Sequence, residues 1–105
     1  MTTVEPSRAD SQPEIDRIVH EPARLKIMAY LYVVDSADFV FLLSHTGLTW
    51  GNLSSHMSKL EEAGYIEVKK DFRDKRPHTM LTLTNKGRTA FEVYRQNMLE
   101  LMGDQ

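Results

Sequence analysis

The fold is decided by residues 49–66, which have the sequence TWGNLSSHMSKLEEAGYI and contain signals for both ends of a helix. Thr49 is a favoured N-cap residue, because its hydroxyl can accept a hydrogen bond from a free backbone N–H of the first turn. Gly64 stands where the chain needs a left-handed residue after the last turn, a conformation that glycine adopts without strain. The sequence therefore predicts a helix between these two residues.

The predicted helix has an apolar face and a small polar face. At about 100° per residue, Leu53, Met57 and Leu60 lie on one side, with Trp50 at the edge. The opposite side carries Gly51, Asn52, Ser55, Ser58 and Lys59. An ordinary solvated helix carries more Glu and Lys. A small polar face near a helix N-terminus suits a helix that approaches phosphate-flanked base-pair edges.

The residues before this helix predict a helix-turn-helix unit. Pro22 fits the first turn of a helix that ends near Val34 and is apolar on most sides. Ser36 is then expected to cap a short apolar helix over residues 37–45. Gly47 supports a tight turn, and two helices joined by such a turn form this unit.

The residues after the helix predict a β-hairpin and a terminal helix. Apolar and polar residues alternate over residues 65–70 and again over residues 78–83, as in half-buried strands. The tip is expected at residues 73–77, and a hairpin of this kind beside a helix-turn-helix unit is a wing. Thr84 or Asn85 is expected to cap a last helix that ends near Met102. A short helix is also expected over residues 14–19.

Composition places the chain among ordinary one-domain globular proteins. It has 105 residues, 41% hydrophobic and 27% charged, with a net charge of -2. Positive charge is local, because residues 69–78 hold five Lys or Arg and two Asp. Cysteine is absent, which excludes disulfides and thiolate metal sites. Neither a membrane-spanning run nor a signal-peptide pattern occurs, so a cytoplasmic protein without a membrane partner is predicted.

These patterns together predict a mainly α protein with a β-hairpin wing, an α+β winged helix-turn-helix fold. A flexible tail is expected at residues 1–13, and the domain at residues 14–102. Within it lie the helix-turn-helix unit at about residues 37–63, the wing at 65–83 and a C-terminal helix at 84–102. A three-helix core would be flanked by N- and C-terminal helices that dimerise.

Four stretches resemble a known family, the small winged helix-turn-helix transcriptional regulators related to the MarR and ArsR groups. They are HEPARLKI at residues 20–27, LTWGNLSSHMSKLEEAGYI at 48–66, FRDKRPHT at 72–79 and LTNKGR at 83–88. The resemblance spans about residues 20–91. It implies a double-stranded DNA-binding regulator, with repression favoured over activation, that acts as a homodimer. The second helix of the unit would enter the major groove, and the wing would reach the backbone or minor groove.

DNA contacts are predicted on the helix face and at the wing tip. Asn52, Ser55 and Lys59 form the base-reading stripe, since Asn can pair with adenine and Lys with guanine. The full predicted set is Thr49, Gly51, Asn52, Ser54, Ser55, Ser58, Lys59, Arg73, Lys75 and Arg76. The competing interpretation is a solvated helix face beside an exposed basic turn.

Three nearby residues have competing interpretations. Gly51 permits either close approach of DNA or close packing of a neighbouring helix. Trp50 is expected to anchor the first turn in the hydrophobic core rather than to contact DNA. His56 lies between the two faces and suits either a phosphate contact or a partly buried structural position.

The outer segments are predicted to form the dimer interface. Phe91, Tyr94, Met98 and Leu101 recur at spacings of three and four, as in a coiled-coil seam. A small domain leaves little core to receive them, so exchange with a second subunit is favoured over packing on their own domain. The full predicted set is Ile15, Ile18, Val19, Phe91, Tyr94, Met98 and Leu101.

Enzymatic and metal-dependent functions lack sequence support. No P-loop, dinucleotide fingerprint or nucleophile motif occurs, so the protein is predicted not to be an enzyme and to need no cofactor. The four histidines are scattered, which disfavours metal sensing of the ArsR type and leaves open only a site shared between subunits. A small-molecule effector has room only in a cleft between the outer helices and the DNA-binding lobe. The alternative function is a winged-helix module for protein–protein interaction without specific DNA binding.

Overall fold

The computed structural model describes residues 14–103, so the predicted tail at residues 1–13 lies outside the described residues. They form four helices and three strands in an α+β arrangement. In chain order they are α1 (Pro22–Val34), β1 (Ser36–Asp38), α2 (Phe39–Thr46), α3 (Trp50–Glu62), β2 (Ile66–Arg73), β3 (Arg76–Leu83) and α4 (Asn85–Met102). The winged helix-turn-helix fold class predicted from the sequence is confirmed.

The sheet of the described residues is antiparallel and has three strands rather than the predicted two. β3 lies between β1 and β2, with Leu81 opposite both Ala37 and Val68. The prediction that Ser36 caps α2 is wrong. Ser36 pairs with Thr82, their hydroxyls 2.8 Å apart, and Asp38 instead caps α2 by accepting from the Phe41 N–H at 2.7 Å. Pairing with β3 therefore holds residues 36–38 extended and starts α2 later.

The core forms where α1, α2 and α3 pack on the inner face of the sheet. The fully buried large side chains are those of Ile27, Met28, Leu31, Leu42, Leu53, Leu60, Leu81 and Val19. Leu53, Met57 and Leu60 are buried as predicted. α1 is less enclosed than predicted, because Val33 is 80% and Val34 44% exposed at its C-terminal end. None of the helices in residues 14–103 is long and apolar enough to cross a bilayer.

The short helix predicted over residues 14–19 is wrong, because this segment forms a capped turn. Asp16 Oδ1 accepts hydrogen bonds from the backbone N–H groups of Ile18 and Val19 at 2.9 and 3.2 Å. Its other carboxylate oxygen accepts from the Tyr65 hydroxyl at 2.5 Å. Burial and this hydrogen bond raise the pKa of Tyr65 to about 12. The carboxylate thus ends the segment after one turn and attaches it to the domain.

A hydrogen bond joins the start of α4 to the end of α3. The Thr84 hydroxyl donates to the Gly64 carbonyl at 2.7 Å and accepts from the Gly87 N–H at 2.9 Å. A Cβ at Gly87 would lie 2.1 Å from the Tyr65 carbonyl oxygen, which is far inside contact distance. The backbones approach so closely that residue 87 has to be glycine.

Candidate nucleic-acid interface

α3 begins and ends as the sequence predicts. The Thr49 hydroxyl accepts from the Asn52 N–H at 3.2 Å. At the other end Gly64 has φ +81°, its N–H donates to the Glu61 carbonyl at 2.9 Å, and Tyr65 donates to Leu60 at 3.0 Å. These two bonds form the paired C-terminal cap known as the Schellman motif. Gly47, with φ +74°, turns the chain between α2 and α3 and completes the helix-turn-helix unit.

The polar face of α3 is open to solvent. The exposed residues are Thr49, Gly51, Asn52, Ser55, Ser58 and Lys59, whereas Ser54 is half-buried on the side of the hairpin. No atom of the described chain outside the immediate helix lies within 4 Å of where a Gly51 Cβ would stand. Close packing within the chain therefore does not explain this glycine. The predicted base-reading residues share one accessible surface.

The hairpin of β2 and β3 places its basic side chains at an exposed tip. Its turn consists of Asp74 and Lys75, with φ +53° and +66°, and Arg73 pairs with Arg76 just before it. The turn is thus narrower than the predicted tip, because Pro77 already lies in β3. Arg73, Lys75 and Arg76 are all exposed. Among the ion pairs of residues 14–103, none involves any of these three cations.

Trp50 is not anchored in the core, so that prediction is wrong. Its side chain is 63% exposed, and one side of the indole packs on Phe39 with ring centroids 4.6 Å apart. It borders a cleft of about 200 Å³ between α3, the start of α2 and the hairpin, which Lys70 and His78 also line. Because Trp50 stands at the edge of the apolar face of α3, its side chain points towards this cleft. No other part of the described chain fills the cleft.

Each histidine of the described residues has its own protein partner. His56 is partly buried, and its Nδ1 accepts from Arg24 Nη1 at 3.1 Å, because arginine can only donate. This arrangement favours the structural interpretation of His56. His78 Nδ1 lies 3.1 Å from Asp71 Oδ1, and His20 Nδ1 lies 2.8 Å from the Tyr94 hydroxyl. Within residues 14–103 no three His, Asp or Glu side chains converge as metal ligands.

The residues predicted for the dimer interface differ in how deeply they are buried within one chain. Val19 is fully buried and Tyr94 is 7% exposed, both within a single chain, so neither offers surface to a partner. Ile15, Ile18, Phe91 and Met98 are partly buried against the same core. Leu101 lies beyond the core and is 46% exposed. The apolar face of α4 thus packs on its own domain first and then continues past it.

Two apolar side chains near the candidate interface are exposed, and their exposure was not predicted from the sequence. Trp50 was assigned to the core, and Phe72, which is 74% exposed on β2 opposite Pro77, was not singled out. Phe72 had a detectable signal, since it is the one aromatic residue in the basic segment 69–78. Lys70, which is not in the predicted set of DNA contacts, lines the cleft beside Trp50.

An exposed polar helix after a tight turn, with a basic hairpin beside it, defines a winged helix domain. A family model described as a winged helix DNA-binding domain matches residues 23–102. The chain belongs to this family. The resemblance to winged helix transcriptional regulators is thereby confirmed, and MarR-type regulators are among its structural neighbours.

Individual relatives are similar to the chain in sequence or in fold. An uncharacterised protein of Methanocaldococcus jannaschii is 41% identical over 85 residues, which cover 81% of this chain and 92% of that protein. A transcriptional regulator homologue from Pyrococcus horikoshii OT3 has a solved structure with 30% identity and a TM-score of 0.78, covering 83% of this chain and 86% of that one. A MarR family regulator from Streptomyces coelicolor, solved in complex with DNA, shares the fold at 19% identity and a TM-score of 0.58, covering 83% and 58%.

Proposed function

We propose that the protein is a sequence-specific double-stranded DNA-binding transcriptional regulator that acts as a homodimer. The observation that carries this proposal is the exposure of two surfaces on neighbouring elements, the polar face of α3 and the basic tip of the hairpin. Recognition helices of helix-turn-helix proteins contact base edges near their N-termini, where Asn52 and Ser55 lie. The Streptomyces coelicolor regulator that shares the fold was solved in complex with DNA, which supports DNA as the partner.

The two surfaces differ in what they can read. Asn52 and Lys59 on α3 carry groups that distinguish adenine and guanine in the major groove. Arg73, Lys75 and Arg76 at the wing tip supply charge for phosphates or a narrow minor groove, which fixes position more than sequence. The proposal therefore assigns specificity to α3 and most of the affinity to the wing.

The dimer is proposed on the apolar surface that α4 leaves uncovered. Leu99 is 50% and Met102 66% exposed, in addition to Leu101. Large apolar side chains concentrated on one helix mark an interaction surface. A two-fold axis near the end of α4 would present two copies of α3 to successive major grooves, about 10 base pairs apart.

Repression is the regulatory role that the family resemblance favours. A dimer bound across a promoter excludes other proteins from the same DNA, which lowers transcription. An effector that controls this binding would find room in an open cleft between residues 14–16 and α4, lined by Tyr65, Lys86 and Val93.

The experiment that tests the proposal compares one residue from each surface. Binding sites are selected from a random DNA pool, and affinities are measured for the selected site and for mismatched sites. Lys59→Ala should reduce the preference for the selected site by about 1–3 kcal/mol. Arg76→Ala should weaken binding to all sites alike, because phosphate contacts carry no sequence information.

Two results would contradict the proposal. Equal loss on all sequences from both substitutions would remove the base-reading role of α3. Failure to enrich any sequence, with weak binding throughout, would instead favour the protein–protein module. Val33→Ala on α1, an uncharged and exposed residue outside both surfaces, serves as the control and should leave affinity and preference unchanged.

A further inference from the structure

Trp50 is the first residue of α3, and its exposure is unusual for its size. The side chain is 63% exposed, although the ring is held at one side by Phe39. Large aromatic side chains stabilise a fold most when they are buried. The exposed indole therefore stabilises this fold less than it would in the core. A polar residue at this position would leave less apolar surface in water.

The surroundings of Trp50 place it between the two surfaces proposed to bind DNA. It directly follows the cap residue Thr49 and precedes Gly51, whose missing side chain leaves the helix start accessible. Across the cleft stand Pro77 and Thr79 of β3. The indole lies on the hairpin side of α3, about 160° around the helix from Asn52. A duplex whose major groove receives the first turn of α3 would meet its exposed side.

We propose that Trp50 reads thymine by packing its exposed side against the C5 methyl group in the major groove, an inference that rests on the proposed function. The thymine methyl is the apolar group that a base pair presents in this groove. Deoxyribose also offers apolar surface, but a contact with the sugar would not distinguish thymine from uracil. Packing on Phe39 fixes the ring before DNA binds, so little side-chain freedom is lost on contact.

The test replaces thymine by uracil, one position at a time, in a duplex selected from a random pool. Uracil differs from thymine only in lacking the C5 methyl, so base pairing is kept. For the wild-type protein, affinity should fall about fourfold at each contacted position, which corresponds to about 0.8 kcal/mol for one buried carbon group. For Trp50→Ala, thymine and uracil duplexes should bind equally.

The matched control is Val33→Ala, which removes an 80% exposed apolar side chain from α1 without touching the cleft. This variant should retain the full thymine-over-uracil preference. Trp50 is also the single tryptophan of the chain, so wild-type emission should change when the selected duplex is added, without any substitution. That measurement remains decisive if Trp50→Ala does not fold.

Several results would overturn the inference. Equal wild-type affinity for thymine and uracil duplexes would exclude methyl reading while leaving the proposed function intact. A preference for thymine that survives in Trp50→Ala would assign the methyl contact to another residue. Unchanged tryptophan emission on saturating DNA would place Trp50 outside the interface. Failure of the wild-type protein to bind either duplex would remove the proposed function together with this inference.

Discussion

Two glycines show how a single missing side chain acts differently at two places. Gly87 is required by the fold, because the carbonyl of Tyr65 occupies the space of a Cβ. Gly51 has open space around it and lies in the first turn of α3, where alanine would favour the helix. The fold therefore does not account for Gly51, whereas the proposed close approach of DNA would.

Alanine at these positions should have opposite effects. Gly87→Ala should lower the free energy of unfolding by at least about 3 kcal/mol, because backbone has to move to relieve the clash. Gly51→Ala should keep the free energy of unfolding or raise it by up to about 1 kcal/mol. It should nevertheless weaken DNA binding by at least about tenfold, or 1.4 kcal/mol.

Urea unfolding and DNA titration of both variants check this pair of expectations. Native-like stability of Gly87→Ala would contradict the close packing of α4 on Tyr65. Undiminished DNA affinity of Gly51→Ala would show that the start of α3 does not approach the duplex closely.

For single residues, the sequence predicts the contacts that each residue makes with its near neighbours along the chain. Thr49 and Gly64 mark the ends of α3 correctly, because each cap bonds to backbone within four or five positions. The exposure of Trp50 depends on whether another element covers the gap beside it. A helical wheel gives the direction of a side chain and contains no information about what stands opposite.

Among the elements, the wing combines a strained turn with a basic charge. Asp74 and Lys75 both have positive φ, the conformation of a type I′ turn. Glycine is the favoured second residue of such a turn, and a left-handed residue with a Cβ costs about 1–2 kcal/mol. Lys75 therefore keeps a positive charge at the tip at the expense of stability.

Lys75→Gly should separate stability from function. The substitution should raise the free energy of unfolding by about 1 kcal/mol, because glycine adopts this conformation without strain. It should also weaken DNA binding on all sequences, because a phosphate contact is lost. Chemical denaturation and affinity measurements on one preparation check both effects.

Lys75→Arg is the matched control, since it keeps the charge and the strain and should preserve affinity. A Lys75→Gly protein that binds DNA as tightly as the wild type would show that the wing tip does not touch the duplex.

Elements stabilised by distant partners are the ones that sequence misses. β2 and β3 alternate apolar and polar residues, so their hairpin is predictable from local pattern. β1 contains Ser36, Ala37 and Asp38, which carry no strand preference, and it is extended only because β3 pairs with it. The turn at residues 14–19 likewise depends on the bond between Asp16 and Tyr65, which are far apart in sequence.

For the whole molecule, dimerisation decides whether two copies of α3 can act together. The spacing of apolar residues predicts a dimerisation seam on α4. In the structure, however, Tyr94 packs inside its own domain and its hydroxyl contacts His20. The sequence cannot distinguish packing within the domain from dimerisation, because the same apolar stripe suits both. The surface still open for a partner lies towards the end of α4, at Leu99, Leu101 and Met102.

If the proposed dimer forms through the end of α4, Leu101→Glu should convert it to monomers, because a charge replaces an apolar side chain at the proposed interface. DNA affinity should fall by at least about a hundredfold, since linked binding of two half-sites is lost. Sedimentation analysis and DNA titration check this expectation. Val33→Glu, on exposed α1 surface, is the control and should remain dimeric. A Leu101→Glu protein that stays dimeric would place the interface elsewhere.

We propose that α3 and the wing together form a DNA-binding surface, and the salt dependence of DNA affinity tests this claim. Three basic side chains at each wing tip give six in a dimer. Affinity for the selected duplex should then fall on the order of a thousandfold between 50 and 200 mM salt, as expected for about six phosphate contacts. Arg76→Ala, which removes two of these contacts, should reduce the logarithmic slope by about two. Weak binding that does not change with salt, or a slope unaffected by Arg76→Ala, would contradict the claim.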